Sequence, residues 1–120
     1  MMKAFNAIPL LTGILLFAAC TQKSPPPTPI HVANGRIAIE VGDISFQPTL
    51  ISAPKKKQLT LVFTRTSTSP CGESVVIKGH DIRKDLPLNQ PVEINLTPQE
   101  EGRIRFACGM DMMKGAIVIQ

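Results

Sequence analysis

Aromatic side chains are scarce in this sequence of 120 residues, which has five phenylalanines, no tryptophan and no tyrosine. Proteins that bind single-stranded nucleic acids usually stack bases on such rings, so the scarcity argues against a nucleic-acid partner. The sequence also shows no nucleophile–base pair, no catalytic carboxylate pair and no phosphate-binding loop, and we therefore expect no enzyme activity. The net charge is +4, and 43% hydrophobic with 18% charged residues is typical of one compact domain.

A hydrophobic run long enough to span a membrane is missing as well. The apolar stretch from Ala7 to Ala19 covers 13 residues, whereas a transmembrane helix needs roughly 20. The stretch follows Lys3 and ends in small residues before Cys20, which is the pattern of an export signal. We predict a signal peptide at residues 1–19, with a spanning helix as the weaker alternative.

The residues around Cys20 indicate attachment to a membrane. The motif "LFAAC" resembles the lipobox of bacterial lipoproteins, in which the cysteine is lipidated and becomes the new N-terminus. The resemblance implies a lipid on Cys20 and a place on the periplasmic side of the bacterial cell envelope. Because Thr21 stands where aspartate would retain the protein at the inner membrane, it also implies outer-membrane sorting. Ordinary cleavage that leaves a free thiol is the alternative.

Residues 20–34 contain the segment "TQKSPPPTP", in which proline recurs. Proline lacks a backbone N–H and favours the extended polyproline form, so the segment is unsuited to the interior of a sheet or helix. We predict a stiff tether between the lipidated Cys20 and a domain at residues 35–120.

Apolar residues alternate with polar ones in the rest of the chain, as in strands with one buried face. The segments "RIAIEVG", "LTLVFTRTS", "VEINLT" and "RIRFAC" show this period, while "SVVIK" and "GAIVIQ" fit strands covered on both faces. A helical period is conceivable only around residues 82–86. The pattern predicts an all-β domain, a sandwich or small barrel of about six to eight strands.

The mature sequence concentrates its sulfur in "CGMDMM", residues 108–113. In an extended turn, Cys108, Met110 and Met112 would share one side of the chain, and Met113 would not. Thiolates and thioethers are soft ligands that suit Cu(I), whereas structural zinc sites use cysteine and histidine. The two histidines, His31 and His80, lie far along the chain from this turn.

Cys71 opens the apolar segment "SVVI" and supplies a second thiol. A β-sandwich can bring its loop to the same end as residues 108–113. Two other interpretations stay open at this stage. The methionines could fill the core, or Cys71 and Cys108 could form a structural disulfide, as exported cysteine pairs often do.

Residues 35–120 resemble the cupredoxin-like domains of bacterial copper-handling proteins, above all the membrane-anchored cupredoxin-fold Cu(I) chaperones of copper resistance. The resemblance rests on "FQP", on "TRTSTSPCGESVVI" and on the loop "CGMDM". It implies a Greek-key β-sandwich and one or two Cu(I) ions. It also implies four metal ligands, with Met113 and Glu73 as further candidates: Cys71, Cys108, Met110 and Met112.

We therefore expect a monomeric, lipid-anchored protein that buffers Cu(I) or exchanges it with a copper transporter or a copper enzyme. One rival is a lipoprotein stapled by a Cys71–Cys108 disulfide that acts as an interaction module. A less favoured rival is an electron-transfer cupredoxin, but such proteins bind copper through two histidines and one cysteine. The sulfur-rich turn has no histidine.

Overall fold

The computed structural model describes residues 25–120, so the predicted signal peptide and Cys20 lie outside the described part. Within residues 25–120 there is no α-helix, and accordingly no helix that is long and apolar enough to cross a membrane. A 3-10 helix spans Pro70–Glu73. The strands are β1 Ile30–His31, β2 Arg36–Val41, β3 Phe46–Gln47, β4 Leu50–Ala53, β5 Leu59–Arg65, β6 Ser74–Ile77, β7 Ile82–Asp85, β8 Pro91–Leu96, β9 Gly102–Cys108 and β10 Lys114–Ile119.

The strands form two sheets, which confirms the predicted all-β sandwich. The larger sheet has six strands in the order β1-β4-β10-β9-β6-β7, and the smaller has four in the order β3-β2-β5-β8. The strand count is ten rather than six to eight. Six of the ten were named as segments in the sequence, and the other four are short strands of two to four residues that carry too little alternation to be recognised: β1, β3, β4 and β7.

Alternation places the side chains as predicted in the central strands. In β2, Ile39 and Val41 are buried and Ile37 packs partly buried against the same core, while Arg36, Ala38 and Glu40 are exposed. In β9, Phe106 and Cys108 are buried while Arg105 is exposed. The sequence period therefore identified the inward face of both strands correctly.

Two segments differ from the sequence-based expectation. Residues 82–86, where a helical period was conceivable, begin with strand β7, which pairs antiparallel with β6. The first strand begins at Ile30, and Val32 is 4% exposed, so part of the segment predicted as tether joins the folded domain. Backbone pairing with β4 explains this, because edge strands are stabilised by a neighbour that the local sequence does not reveal.

Three phenylalanine rings occupy the centre of the sandwich. Phe46, Phe63 and Phe106 are fully buried and meet edge to face, with ring centroids 4.9 to 6.0 Å apart. Gly115 lies opposite Phe106 in the β9–β10 pair, and a Cβ there would collide with the Phe106 ring. The missing side chain at Gly115 thus leaves room for the ring that lies two residues before Cys108.

Candidate metal centre

Sheet topology brings three loops to one end of the sandwich. Strands β2 and β5 are parallel neighbours, so the turn after β2 and the segment after β5 emerge at the same edge. Strand β9 runs antiparallel to β6, and therefore its last residue, Cys108, lies opposite Val75 near the start of β6. The 3-10 helix that carries Cys71 directly precedes β6, which places it beside Cys108.

The two cysteines predicted as ligands meet at this end. The Sγ atoms of Cys71 and Cys108 are 2.8 Å apart, and both cysteines are free thiols. Cys108 is buried, with 2% of its surface exposed, and Cys71 is half-buried above it. A soft ion approaching from solvent would therefore reach Cys71 first and Cys108 behind it.

The chain after Cys108 closes into a tight turn instead of staying extended. The Cys108 N–H donates to the Met113 carbonyl at 3.0 Å, and the Asp111 N–H donates to the Cys108 carbonyl at 2.9 Å. Asp111 adopts a left-handed backbone with φ of 58°, a conformation that aspartate tolerates better than most residues. The backbone N–H groups of Met112 and Met113 both point at the Cys108 sulfur, at 3.3 Å each.

The turn separates the methionines into two kinds. Met110 and Met112 are exposed, at 58% and 74%, whereas Met113 is 3% exposed and packs in the hydrophobic core. All three nevertheless line one cavity of about 380 Å³ together with Cys71. Three of the four predicted ligands, Cys71, Met110 and Met112, thus line one hollow. The fourth, Cys108, lies behind Cys71 and contacts its sulfur. Met113 has a core role as well as a place in the cavity wall.

The hydrogen bonds around the thiols favour one thiolate at Cys108. Burial raises the pKa of Cys108, but hydrogen bonds from the Cys71 thiol and from the backbone N–H groups of Met113 and Met112 outweigh it and lower the pKa. Burial, together with the sulfur of Cys108, raises the pKa of Cys71. The pair therefore ionises at Cys108 first, with Cys71 holding its proton, and a thiolate is the form that binds metals.

An ion-pair network fixes the outer side of the turn. Lys78 approaches the Asp111 carboxylate at 2.8 Å and Lys114 approaches it at 3.9 Å. The hydrogen bond from Lys78, and then the charge of Lys114, lower the pKa of Asp111. Asp111 thus stays a carboxylate engaged by cations, away from the cavity, and is not among the residues that line it.

Other polar candidates lie elsewhere. Glu73 is exposed and does not line the cavity. His31 contacts Ser52 at 3.2 Å and His80 contacts the Lys78 carbonyl at 3.1 Å, so neither reaches the cysteines. Within residues 25–120 there is no cluster of three or more histidine, cysteine, aspartate and glutamate side chains placed to hold a metal. Most of the metal-binding side chains that line the cavity are therefore sulfur donors, namely Cys71 and the three methionines.

Sequence reasoning missed one wall of the cavity. Asp43 and Ile44, in the turn between β2 and β3, line it together with the methionines. Ser67, from the segment after β5, donates a hydrogen bond to the Asp43 carboxylate and holds this turn against the site. Nothing in the local sequence marks these residues, because their position follows from the parallel pairing of β2 with β5.

Gly109 anchors the sulfur-rich turn to strand β6. Its N–H donates to the Ser74 carbonyl at 3.0 Å, and a Cβ at Gly109 would collide with the Ser74 hydroxyl. We expect Gly109→Ala to destabilise the domain by about 1–3 kcal/mol, as overpacking usually does. Denaturant unfolding of the apo protein measures the change.

A second substitution tests the cause of that loss. A Cβ at residue 109 would lie 3.5 Å from the Ser74 Cβ, an ordinary contact, and 2.9 Å from the end of the flexible Arg83 side chain, which can move aside. The Ser74 hydroxyl therefore makes the main clash, and adding Ser74→Ala to Gly109→Ala should recover much of the lost stability. A double variant as unstable as the sum of the two single variants would contradict this steric interpretation.

The chain belongs to the family of cupredoxin-like domains, which it matches over residues 9–119. The predicted fold family is thereby confirmed. None of the curated proteins compared with the chain matches it. Several solved structures do.

Two solved structures are similar in sequence as well as fold. The metal-binding domain of CopA, a Cu(I)-exporting P-type ATPase of Streptococcus pneumoniae D39, was crystallised with Cu(I). It is 27% identical, has a TM-score of 0.72, and is matched over 78% of this chain and 96% of that domain. A copper-binding protein solved by NMR in its apo form is 30% identical, with a TM-score of 0.70 over 78% of this chain and 98% of that protein.

A third structure is similar in fold alone. Reduced auracyanin from the photosynthetic bacterium Roseiflexus castenholzii is 16% identical, with a TM-score of 0.59 over 74% of this chain and 99% of auracyanin. This similarity supports the β-sandwich fold of the chain and gives no information about its metal site.

Proposed function

We propose that this protein binds Cu(I) outside the cytoplasm and buffers it or exchanges it with a copper transporter or a copper enzyme. The observation that carries the proposal is the 2.8 Å contact between the sulfur of Cys108 and that of Cys71, which lines a cavity together with three methionines. The proposed ligands are Cys71, Cys108, Met110 and Met112, and the cargo is one or two Cu(I) ions.

The ligand chemistry favours Cu(I) over the other ions of the envelope. Thiolate and thioether sulfur are soft and prefer Cu(I), whereas Mg²⁺, Ca²⁺ and Mn²⁺ prefer oxygen. The relatives support the same ion, since the CopA domain was crystallised with Cu(I) and the NMR structure is of a copper-binding protein. Both relatives are matched along nearly their whole length.

The exposure of the methionines suits transfer rather than storage. Met110 and Met112 lie on the surface, where an incoming protein can replace them one at a time, while buried Cys108 retains the ion. Such exchange needs no general base and no chemical conversion of a substrate. We accordingly propose a carrier that is not an enzyme.

Attachment to the envelope is the other half of the proposal. A lipid on Cys20 would hold the domain at the periplasmic side of the outer membrane, and the proline-rich segment would keep it in reach of its partners. The motif "LFAAC" supports this half, and labelling with a radioactive or clickable fatty acid, compared between the parent and Cys20→Ser, tests it.

A competition titration tests copper binding. The reduced chain is titrated with Cu(I) in the presence of a colorimetric Cu(I) chelator, under nitrogen. We expect the protein to withdraw copper from the chelator in a ratio of one or two ions per chain. Failure to compete with even a weak chelator would overturn the proposal.

The methionines give a graded prediction. We expect Met110→Ala and Met112→Ala each to weaken Cu(I) binding about 10-fold, the lower end of the range seen when a metal site loses a supporting group. Their stability should change little because both side chains are exposed. Met113→Ala, by contrast, should cost about 2–5 kcal/mol of unfolding free energy because it empties a core position.

The two rivals make different predictions. An electron-transfer site would give an intense blue colour with Cu(II), but the cavity is lined by no histidine. A disulfide-stapled module would resist reduction of its disulfide, and its Cu(I) titration would be the same in Cys108→Ser and Met110→Ala as in the parent. The same 2.8 Å separation would let an oxidant join the two thiols, so oxidation should abolish Cu(I) binding and reduction restore it.

A further inference from the structure

The outer face of the six-stranded sheet carries a cluster of cations. In β9, Arg103 and Arg105 are exposed and lie two residues apart on one face, about 7 Å from each other. Cross-strand register adds Lys114 of β10, which is opposite Ala107, and Arg83 of β7, which is opposite Val76. We name as the basic face these four residues and Lys78, which lines a hollow with Arg105 and Lys114.

Carboxylates neutralise only part of the basic face. Asp111 pairs with Lys78 and Lys114. Arg103 and Arg105 form no ion pair among residues 25–120. Two exposed guanidinium groups without an acidic partner leave the face attractive to an anionic surface.

The floor of the face is partly apolar and accommodates the start of the described chain. Arg103, Arg105 and Lys114 line a groove of about 550 Å³ with half-buried Leu50 and Ala116. Pro26 and Pro27 line the same groove. The chain that arrives from the proposed anchor thus crosses this face before it enters β1.

We propose that the basic face lies against anionic lipid headgroups at the membrane surface. Arginine side chains suit this contact, because guanidinium groups bind phosphate through paired hydrogen bonds while their stems cover apolar surface. The orientation rests on the proposed lipid anchor, since the tether approaches over this side. Because the tether begins at the lipidated Cys20, the membrane surface is always close to this face. An acidic protein partner would have to diffuse to it.

Reactivity of the arginines in vesicles tests the proposal. The full chain is mixed with vesicles of phosphatidylcholine alone, or of an equal mixture of phosphatidylcholine and phosphatidylglycerol. Guanidinium groups are then modified with phenylglyoxal and quantified by mass spectrometry. We expect Arg103 and Arg105 to react at least about fivefold more slowly on the anionic vesicles, in line with the attraction of one cation to an anionic membrane.

Two internal comparisons sharpen the measurement. Arg36 lies on the other sheet, paired with Glu93, and should react equally fast on both vesicles. Sodium chloride at about 1 M, where the Debye length is about 3 Å, should remove the protection of Arg103 and Arg105. Equal reactivity of Arg103 and Arg105 on the two kinds of vesicle would overturn the proposal.

Charge-matched variants separate the face from net charge. Arg83, on the same face, should also react more slowly on anionic vesicles in the parent. Arg103→Gln with Arg105→Gln should abolish that protection of Arg83. Arg36→Gln with Lys55→Gln also removes two cations, both from ion pairs outside the basic face, and should leave Arg83, Arg103 and Arg105 protected on anionic vesicles. Equal loss in both double variants would contradict a specific face.

The remaining outcomes are also decisive. Protection by soluble polyglutamate but not by anionic vesicles would overturn the lipid contact and assign the face to an acidic protein. Cu(I) affinity, measured on the same arginine variants in solution, should be unchanged because neither residue lines the metal cavity. A failure of copper binding is therefore distinguishable from a failure of this inference.

Discussion

Cys108→Ser should weaken Cu(I) binding by at least about 100-fold. Loss of an outer partner of a metal ligand alone commonly costs about 10–100-fold, and Cys108 is the proposed ligand itself. It is the buried thiol whose pKa is lowered by the Cys71 thiol and by backbone N–H groups, against the effect of burial. A serine hydroxyl stays protonated and is a hard donor, so it cannot replace the thiolate. The chelator competition measures the change.

Cys20→Ser is the matched control for that experiment. It removes a thiol from the same chain but leaves the cavity residues unchanged, so the Cu(I) affinity of the reduced protein should equal that of the parent. Cys71→Ser should resemble Cys108→Ser, since the two sulfurs are in contact. Parent-like affinity in both Cys71→Ser and Cys108→Ser would refute the proposed ligands.

Phe106→Ala should destabilise the apo domain by about 3–5 kcal/mol. The ring is fully buried and lies 4.9 Å from the Phe46 centroid and 5.6 Å from that of Phe63. Its removal leaves a cavity at the middle of the core, beside Gly115, where no side chain can fill the space. Since the free energy of unfolding of a domain is usually only about 5–15 kcal/mol, this loss would be a large fraction of it. Urea unfolding followed by circular dichroism measures it.

Ile44→Ala serves as the control for Phe106→Ala. Ile44 is 87% exposed, so a comparable truncation there should change the unfolding free energy by no more than about 0.5 kcal/mol. Similar losses at both positions would mean that the phenylalanine cluster does not hold the two sheets together as described.

The sequence predicted the strands whose period is long enough to recognise. The alternation in β2 and β9 identified the buried side chains, including Cys108, because a strand with one covered face repeats every two residues. It could not reveal β1 and β3, which are short and exist through pairing with β4 and β2.

The site was predictable in composition and less so in geometry. The soft ligands could be named from residue types alone, and the topology then placed Cys71 beside Cys108. The expectation of an extended turn did not predict that Met113 would line the cavity and pack in the core. The hydrogen bond from the Cys108 N–H to the Met113 carbonyl closes the turn and directs Met113 inward. Asp43 and Ile44 entered the cavity wall only through the pairing of β2 with β5.

X-ray absorption at the copper edge of the Cu(I)-loaded, reduced protein tests the central claim most directly. We expect a Cu(I) edge with scattering from sulfur alone, and a fall in the number of sulfur neighbours in Met110→Ala and Cys71→Ser. A shell dominated by nitrogen or oxygen, or one that Cys71→Ser leaves unchanged, would contradict a copper site built from the sulfurs of these two loops.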